Sequence, residues 1–276
     1  MQQNEFRWNS ADGISFYGKE WRPENTTAVI CLVHGLGEHC NRYNHVAERF
    51  GQAGYAMLSF DLRGHGRSGG QRGHIPSLEA AMEDIHFLWE EAGRRFAGKS
   101  RFLYGHSLGG LLAFNYLITR QPAAAGAVIT APGLKTALHE KKFKVWLVNT
   151  LGGILPTAAI KTELDANTLA RDQAVVQAYR ADPLVHDDTS LGMGKCLLKA
   201  IEQIDGRANE IRLPVLLAHG ANDRLAYPEG SEAAAKKLPN CTLKLWPGLF
   251  HEIHNEPEQA EVLGYTQQWM DQHLPA

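Results

Sequence analysis

Residues 28–33 (AVICLV) and 55–60 (YAMLSF) are apolar at almost every position, and each run ends in a turn rich in glycine, histidine or aspartate. A strand with one wet face alternates in polarity. A run that is apolar on both sides of the pleat has to be covered on both faces, which points to a parallel sheet between helices. Further short runs follow at residues 101–104, 127–130, 214–218 and 242–246. Between them lie longer segments of helical period: 42–53, 77–96, 108–119, 230–238 and 258–273. In the second, Ser77 suits an N-cap, and Leu78, Ala81, Met82, Ile85, Leu88 and Trp89 form one apolar stripe. Residues 14–21 alternate and read as a strand at an antiparallel edge. The pattern is that of an α/β chain with a mostly parallel, doubly wound sheet.

The alternation breaks at Ala131-Pro132-Gly133. Residues 134–206 read as helical with no convincing strand, an excursion of about seventy residues that is too long for an ordinary connection. The expected organisation is a core at 1–133, a helical cap inserted at 134–206, and the rest of the core at 207–276. A chain of 276 residues with 44% hydrophobic and 21% charged residues suits one large folded unit. Net charge is −2, from 28 Lys+Arg against 30 Asp+Glu, so a nucleic-acid partner is not expected. Cys31, Cys40, Cys196 and Cys241 form no CxxC pair, which leaves zinc and thioredoxin-like motifs unsupported. Cys31 reads as a buried small hydrophobe. The first residues lack a basic and apolar leader, and no run approaches the roughly 18 apolar residues of a membrane span. A soluble cytoplasmic protein with reduced thiols is expected.

Gly105-His106-Ser107-Leu108-Gly109 lies between a short strand and an apolar helix. That is the setting a G-x-S-x-G nucleophile turn requires: glycines leave room for a very tight strand-to-helix bend, which lifts the serine to the sheet's rim. A serine hydroxyl needs a base to take its proton. In this arrangement an acid and then a histidine follow the serine in the chain. Asp223 follows the run at 214–218, and His251 follows the run at 242–246. All three fall at carboxyl ends of strands, where such a sheet carries its functional loops. Asp187, Asp188 and Asp205 have no strand before them and read as solvated or capping residues. His254 competes weakly for the base. His106 and His219 read as packing or hydrogen-bonding residues.

Two backbone N–H groups are expected to hold the developing oxyanion, those of Leu108 and of Leu36 in the loop His34-Gly35-Leu36-Gly37. The glycines match no phosphate-binding pattern, because neither GxGxxG at a helix start nor GxxxxGK[ST] occurs. The Gly- and Arg-rich stretch 61–70 is expected to be structural, with Asp61 paired to Arg63 and His65 outside the chemistry.

With these residues in place the chain resembles a serine hydrolase of the α/β-hydrolase fold, and more closely the monoacylglycerol lipase and lysophospholipase-like group. The resemblance runs over nearly the whole chain. It rests on residues 34–43 (HGLGEHCNRY), 60–69 (FDLRGHGRSG), 105–109, 179–184 (YRADPL), 220–224 (GANDR) and 249–251 (LFH). It implies Ser107, Asp223 and His251 as the triad and Leu36 and Leu108 as oxyanion donors. It also implies that Glu38, Arg42, His106 and Tyr179 place the glycerol hydroxyls, although Glu38 and Arg42 could instead form an ion pair that braces their loop. No metal or organic cofactor is implied. The substrate would be an acylglycerol or another lipid ester. A lysophospholipase, a short- or medium-chain carboxylesterase, or a non-catalytic small-molecule receptor are the alternatives. Val145, Trp146, Leu147, Val148, Leu151, Ile154 and Leu155, with Lys141, Lys142 and Lys144 just upstream, could form a lid touching membrane or micelle. Nothing in the sequence sets an oligomeric state.

Overall fold

The computed structural model describes residues 1–136, 145, 148, 150–162 and 164–275. Its strands are β1 Gln2–Asn9, β2 Ser15–Arg22, β3 Ala28–Val33, β4 Tyr55–Phe60, β5 Ser100–His106, β6 Gly126–Thr130, β7 Ala159–Lys161, β8 Asp188–Ser190, β9 Val215–Gly220 and β10 Cys241–Trp246. Eight of them form one sheet in the order β1-β2-β4-β3-β5-β6-β9-β10, and β7 pairs with β8 separately. From β4 to β10 the sheet is parallel, whereas β1–β2 and β2–β4 are antiparallel. The α/β class and the mostly parallel, doubly wound sheet are those of the sequence reading.

Helices whose bounds fall within the described residues are α1 Asn44–Gln52, α2 Leu78–Arg95, α3 Leu108–Arg120, α4 Gln173–Ala181, α5 Leu191–Arg207, α6 Pro228–Ala235 and α7 Gln259–Gln272. The unbroken apolar runs are explained by burial on both sides. Val29, Cys31 and Val33 of β3 join the layer beneath α2 and α3, while Ala28, Ile30 and Leu32 join the layer beneath α1 and α7. Ser77 caps α2 by accepting the Ala80 N–H at 3.1 Å.

Three expectations are corrected. The strand at 14–21 is not an edge: β1 pairs outside it, because Phe6 and Trp8 alternate with polar residues, Phe6 stacking on Trp8 and Trp8 on Phe16 and Phe87. The stretch 134–206 does contain strand, the short β7–β8 pair. Asp61 and Arg63 do not pair. Asp61 accepts the N–H groups of Cys40 and Arg67, and Arg63 forks onto Asp84 and reaches Asp12.

Between β6 and β9, α5 places Met193, Cys196, Ala200 and Ile204 in the main apolar layer and so anchors this stretch on the sheet. Trp146, Leu147 and the lysines 141, 142 and 144 lie outside the described residues. Of the remaining apolar cluster, Val148 is buried, while Ile154 and Leu155 are 70% and 54% exposed. Among the described residues no helix is long and apolar enough to cross a membrane.

Candidate active site

Ser107 sits between β5 and α3 with φ +52°. That is a strained conformation for a residue with a side chain, of the kind that persists only where surroundings over-determine it. The surroundings explain both flanking glycines. A Cβ on Gly105 would run into Gly109 and Ala113, and one on Gly109 would collide with the carbonyls of Val33 and His34. The bend is held by the Ser107 N–H donating to Thr130 O at 2.9 Å. Ser107 remains partly exposed, so its hydroxyl is open to a ligand.

The Asp223 and His251 loops leave neighbouring strands, β9 and β10, and are stitched together. Ala221 N–H donates to Trp246 O at 2.8 Å and Asn222 N–H to Leu249 O at 2.9 Å. His251 Nδ1 donates to Asp223 Oδ2 at 2.6 Å, and Nε2 faces Ser107 Oγ at 2.9 Å. With Nδ1 protonated, Nε2 has the lone pair needed to accept the hydroxyl proton. Burial opposes protonation of His251, but the adjacent Asp223 carboxylate outweighs it, and the imidazole pKa is raised above its ordinary value. Burial likewise disfavours the Asp223 anion. The facing His251 and His219 rings reverse this and leave its pKa well below the usual carboxylate range.

Leu36 lies in the loop after β3 and is half-buried, and Leu108 opens α3. The first amides of a helix lack intrahelical acceptors, so Leu108 presents its N–H at the end where a dipole favours negative charge. The Leu36 loop is drawn over the serine by Glu38, which accepts the Gly35 N–H at 2.6 Å and the Tyr43 hydroxyl at 2.7 Å. Arg42 donates to Glu38 at 2.7 Å and forks onto Glu252 at 2.6 and 2.7 Å. Its guanidinium also lies 4.9 Å over the ring of Tyr179, on α4. His106 is buried, bonded to Thr130 Oγ1 at 3.0 Å and packed 4.9 Å from the His251 ring. Glu38, Arg42 and Tyr179 thus meet at one flank, and His106 lies beside the imidazole. Among the described residues no group of three or more His, Cys, Asp or Glu side chains is placed to hold a metal ion.

A family model described as "Serine aminopeptidase, S33" matches residues 24–258. The chain belongs to this hydrolase family. It is 34% identical to a monoacylglycerol lipase of Mycolicibacterium smegmatis over 99% of this chain and 98% of that one. It is also 37% identical to an abhydrolase domain-containing protein of Dictyostelium discoideum, covering 93% of this chain but only 28% of that much longer one. The crystal structure of Paleococcus ferrophilus monoacylglycerol lipase superposes with a TM-score of 0.86 at 35% identity, over 94% of this chain and 99% of that one. The chain is therefore a monoacylglycerol lipase-like α/β hydrolase.

Two residues of this hydrolase's site were not singled out for it by sequence. His219, expected only to pack or bond, has Nε2 against Ala226 O at 2.8 Å and Asp223 Oδ2 at 3.1 Å, and Ser231 Oγ on Nδ1 at 2.7 Å. A carbonyl can only accept, so Nε2 carries the proton and shares it between that carbonyl and the aspartate. Glu252 was missed, although its position directly after His251 was a usable signal. His254 stacks on Tyr43 and meets the His106 ring edge-on, away from the role of base that it competed for. The tight elbow also carries an expectation about stability. Gly109→Ala has to push the β3 carbonyls aside, an overpacking cost of about 1–3 kcal/mol. At this chain's size that lowers the melting temperature by several degrees, measurable by calorimetry, and turnover falls with it. An unchanged melting temperature would show that the elbow has slack.

Proposed function

We propose that this chain hydrolyses the ester of monoacylglycerols, releasing a fatty acid and glycerol by way of an acyl-enzyme. The observation that carries the reading is the unbroken hydrogen-bond line Asp223–His251–Ser107 ending at the strained elbow. Ser107 Oγ attacks the ester carbonyl carbon as His251 Nε2 takes its proton. Asp223 holds the imidazole in that tautomer and stabilises its cation. The carbonyl oxygen, now an anion, is held by the Leu36 and Leu108 N–H groups. The tetrahedral intermediate collapses, His251 protonates the departing glycerol oxygen, and the acyl group stays on Ser107. Water then gives its proton to His251 and attacks the acyl carbon, Ser107 regains its proton, and fatty acid leaves.

The charges beside the elbow support a neutral leaving group. Arg42 is taken up by Glu38 and Glu252, so its guanidinium is already neutralised where a lysophospholipid phosphate would seek it. An aminopeptidase would need a carboxylate for the substrate's ammonium, and the same two carboxylates are engaged. Residues 134–206 act in this reading as a cap, with Ile154 and Leu155 touching the lipid surface. The four free cysteines support a reducing, cytoplasmic setting.

The test is a panel of monoacylglycerol, lysophosphatidylcholine and p-nitrophenyl esters of rising chain length. Expected is a kcat/KM for monoacylglycerol at least about tenfold above that for the lysophospholipid, one charged contact's worth of discrimination. The reverse order would move the reading to a lysophospholipase, and short p-nitrophenyl esters ahead of both would make it a carboxylesterase. Ile154→Ser with Leu155→Ser should reduce hydrolysis of vesicle-borne substrate several-fold and spare a dissolved short-chain ester. Equal rates on vesicles would remove the surface role.

A further inference from the structure

The loops that carry His251 and Leu36 come from strands that are not neighbours. In the sheet order β3 and β10 are separated by β5, β6 and β9, so no strand pairing sets the distance between the two loops. A chain of charged hydrogen bonds spans the gap. It begins at the Gly35 N–H, next to Leu36, and runs to Glu38 Oε1 at 2.6 Å. Glu38 Oε2 receives Arg42 Nη1 at 2.7 Å. Arg42 Nη1 and Nη2 then reach Glu252 Oε1 and Oε2 at 2.6 and 2.7 Å. Glu252 is the residue after His251 and is 2% exposed. Its own placement is fixed twice more, by Asn255 Nδ2 donating to Oε2 at 2.7 Å and by its N–H donating to Leu169 O at 2.8 Å.

We infer that Glu252 is a positioning residue: by gripping Arg42 with both oxygens it sets the His251 loop against the loop that presents the Leu36 N–H. The inference rests on the triad and oxyanion reading above. The physical need is one of tolerance, since a displacement of about 1 Å at a reacting group can cost on the order of a hundredfold in rate. A planar guanidinium between two carboxylates fixes direction as well as distance, which a lysine could not do.

Glu252 has a second consequence, through charge. The ionisable groups around His251 are Asp223 and His219 from β9 and its loop, His106 from β5, Glu38 and Arg42 from the loop after β3, and Glu252 and His254 from its own loop. Burial works against the imidazolium, and Asp223, Glu252 and Glu38 work for it. Removing the Glu252 charge therefore makes His251 easier to deprotonate.

The test compares Glu252→Gln and Glu252→Asp with the unmodified protein on a water-soluble short-chain monoacylglycerol. Working sites are counted by fluorophosphonate titration, so that kcat refers to folded protein alone. Glu252→Gln keeps the shape and loses the charge. It should lower kcat per site about 10- to 100-fold with little change in KM, and move the acid limb of kcat/KM to lower pH. Glu252→Asp keeps the charge and falls short of Arg42. It should lower kcat comparably and leave the limb in place. A Glu252→Gln enzyme with unchanged kcat per site, or with an unmoved limb, overturns the inference. Should that variant yield no folded protein, Glu252→Asp decides, and normal kcat per site there refutes the positioning role. Ser107→Ala separates the two levels. If it is inert while Glu252→Gln behaves normally, only the role of Glu252 fails; if it turns over substrate, the triad reading fails first.

Discussion

Ser107→Ala lowers ester turnover by about six orders of magnitude and abolishes labelling by a fluorophosphonate, the scale seen when a nucleophile is removed from a serine–histidine unit. The side chain's recorded bond is the one to His251 Nε2 at 2.9 Å, so little else is lost with it. The backbone bend is held by the Ser107 N–H to Thr130 and by the flanking glycines, none of which needs the hydroxyl. The variant should therefore fold and melt close to the unmodified protein. A small residual rate should remain, because in the proposed mechanism the Leu36 and Leu108 N–H groups would still serve a substrate attacked by water. Alanine-variant protein that keeps more than about a hundredth of the rate, or that still takes the label at another residue, would remove Ser107 from the mechanism.

Asp223→Asn should lower kcat about 10⁴-fold while leaving the fold intact. Asp223 Oδ2 accepts from His251 Nδ1 at 2.6 Å, and Oδ1 accepts the N–H groups of Leu225 and Ala226 at 2.8 and 3.1 Å. An amide has one oxygen where the carboxylate has two. If that oxygen serves the loop, the NH₂ faces His251 and forces its proton to the wrong nitrogen. The pH dependence follows with a definite sign. The base must be neutral to act, and the Asp223 carboxylate outweighs burial and leaves the His251 pKa above its ordinary value, so the acid limb of kcat/KM should lie above the ordinary imidazole range. In the asparagine variant the supporting charge is gone, burial prevails, and the limb of the residual activity moves to lower pH. Stability responds in the opposite range. The folded-state pKa of Asp223 is lowered, so its stabilisation is present above the unfolded value of about 3.9 and is lost as pH falls through the folded one. Equal acid-denaturation midpoints for the two proteins would contradict that.

Much of this was legible in the chain because it depended on neighbours in sequence. The runs at 28–33 and 55–60 match β3 and β4 at both ends, since burial on both faces leaves no polar position to blur the boundaries. Ser77 capped its helix as expected, a local contact three residues long. Ser107, Asp223 and His251 were nominated because each follows a strand, and strand order brings those ends to one rim. Errors arose where a partner is distant. Asp61 and Arg63 are two apart and oppositely charged, yet Asp61 meets Cys40 and Arg67 while Arg63 meets Asp84. β1 was passed over because only Phe6 and Trp8 mark it, and the value of Trp8 comes from Phe16 and Phe87.

Local sequence alone determined the element order, the tight turn at residues 105–109 and the chemical types available at each strand end. These follow from periodicity, glycine's missing side chain and the reactivity of single groups. Only the tertiary structure decided that Glu252, Arg42 and Glu38, drawn from two loops on non-adjacent strands, close into one ionic chain beside the imidazole. A charge's partner is set by distance in space, and burial makes that choice strict, because an unpaired ion inside a protein costs far more than one in water.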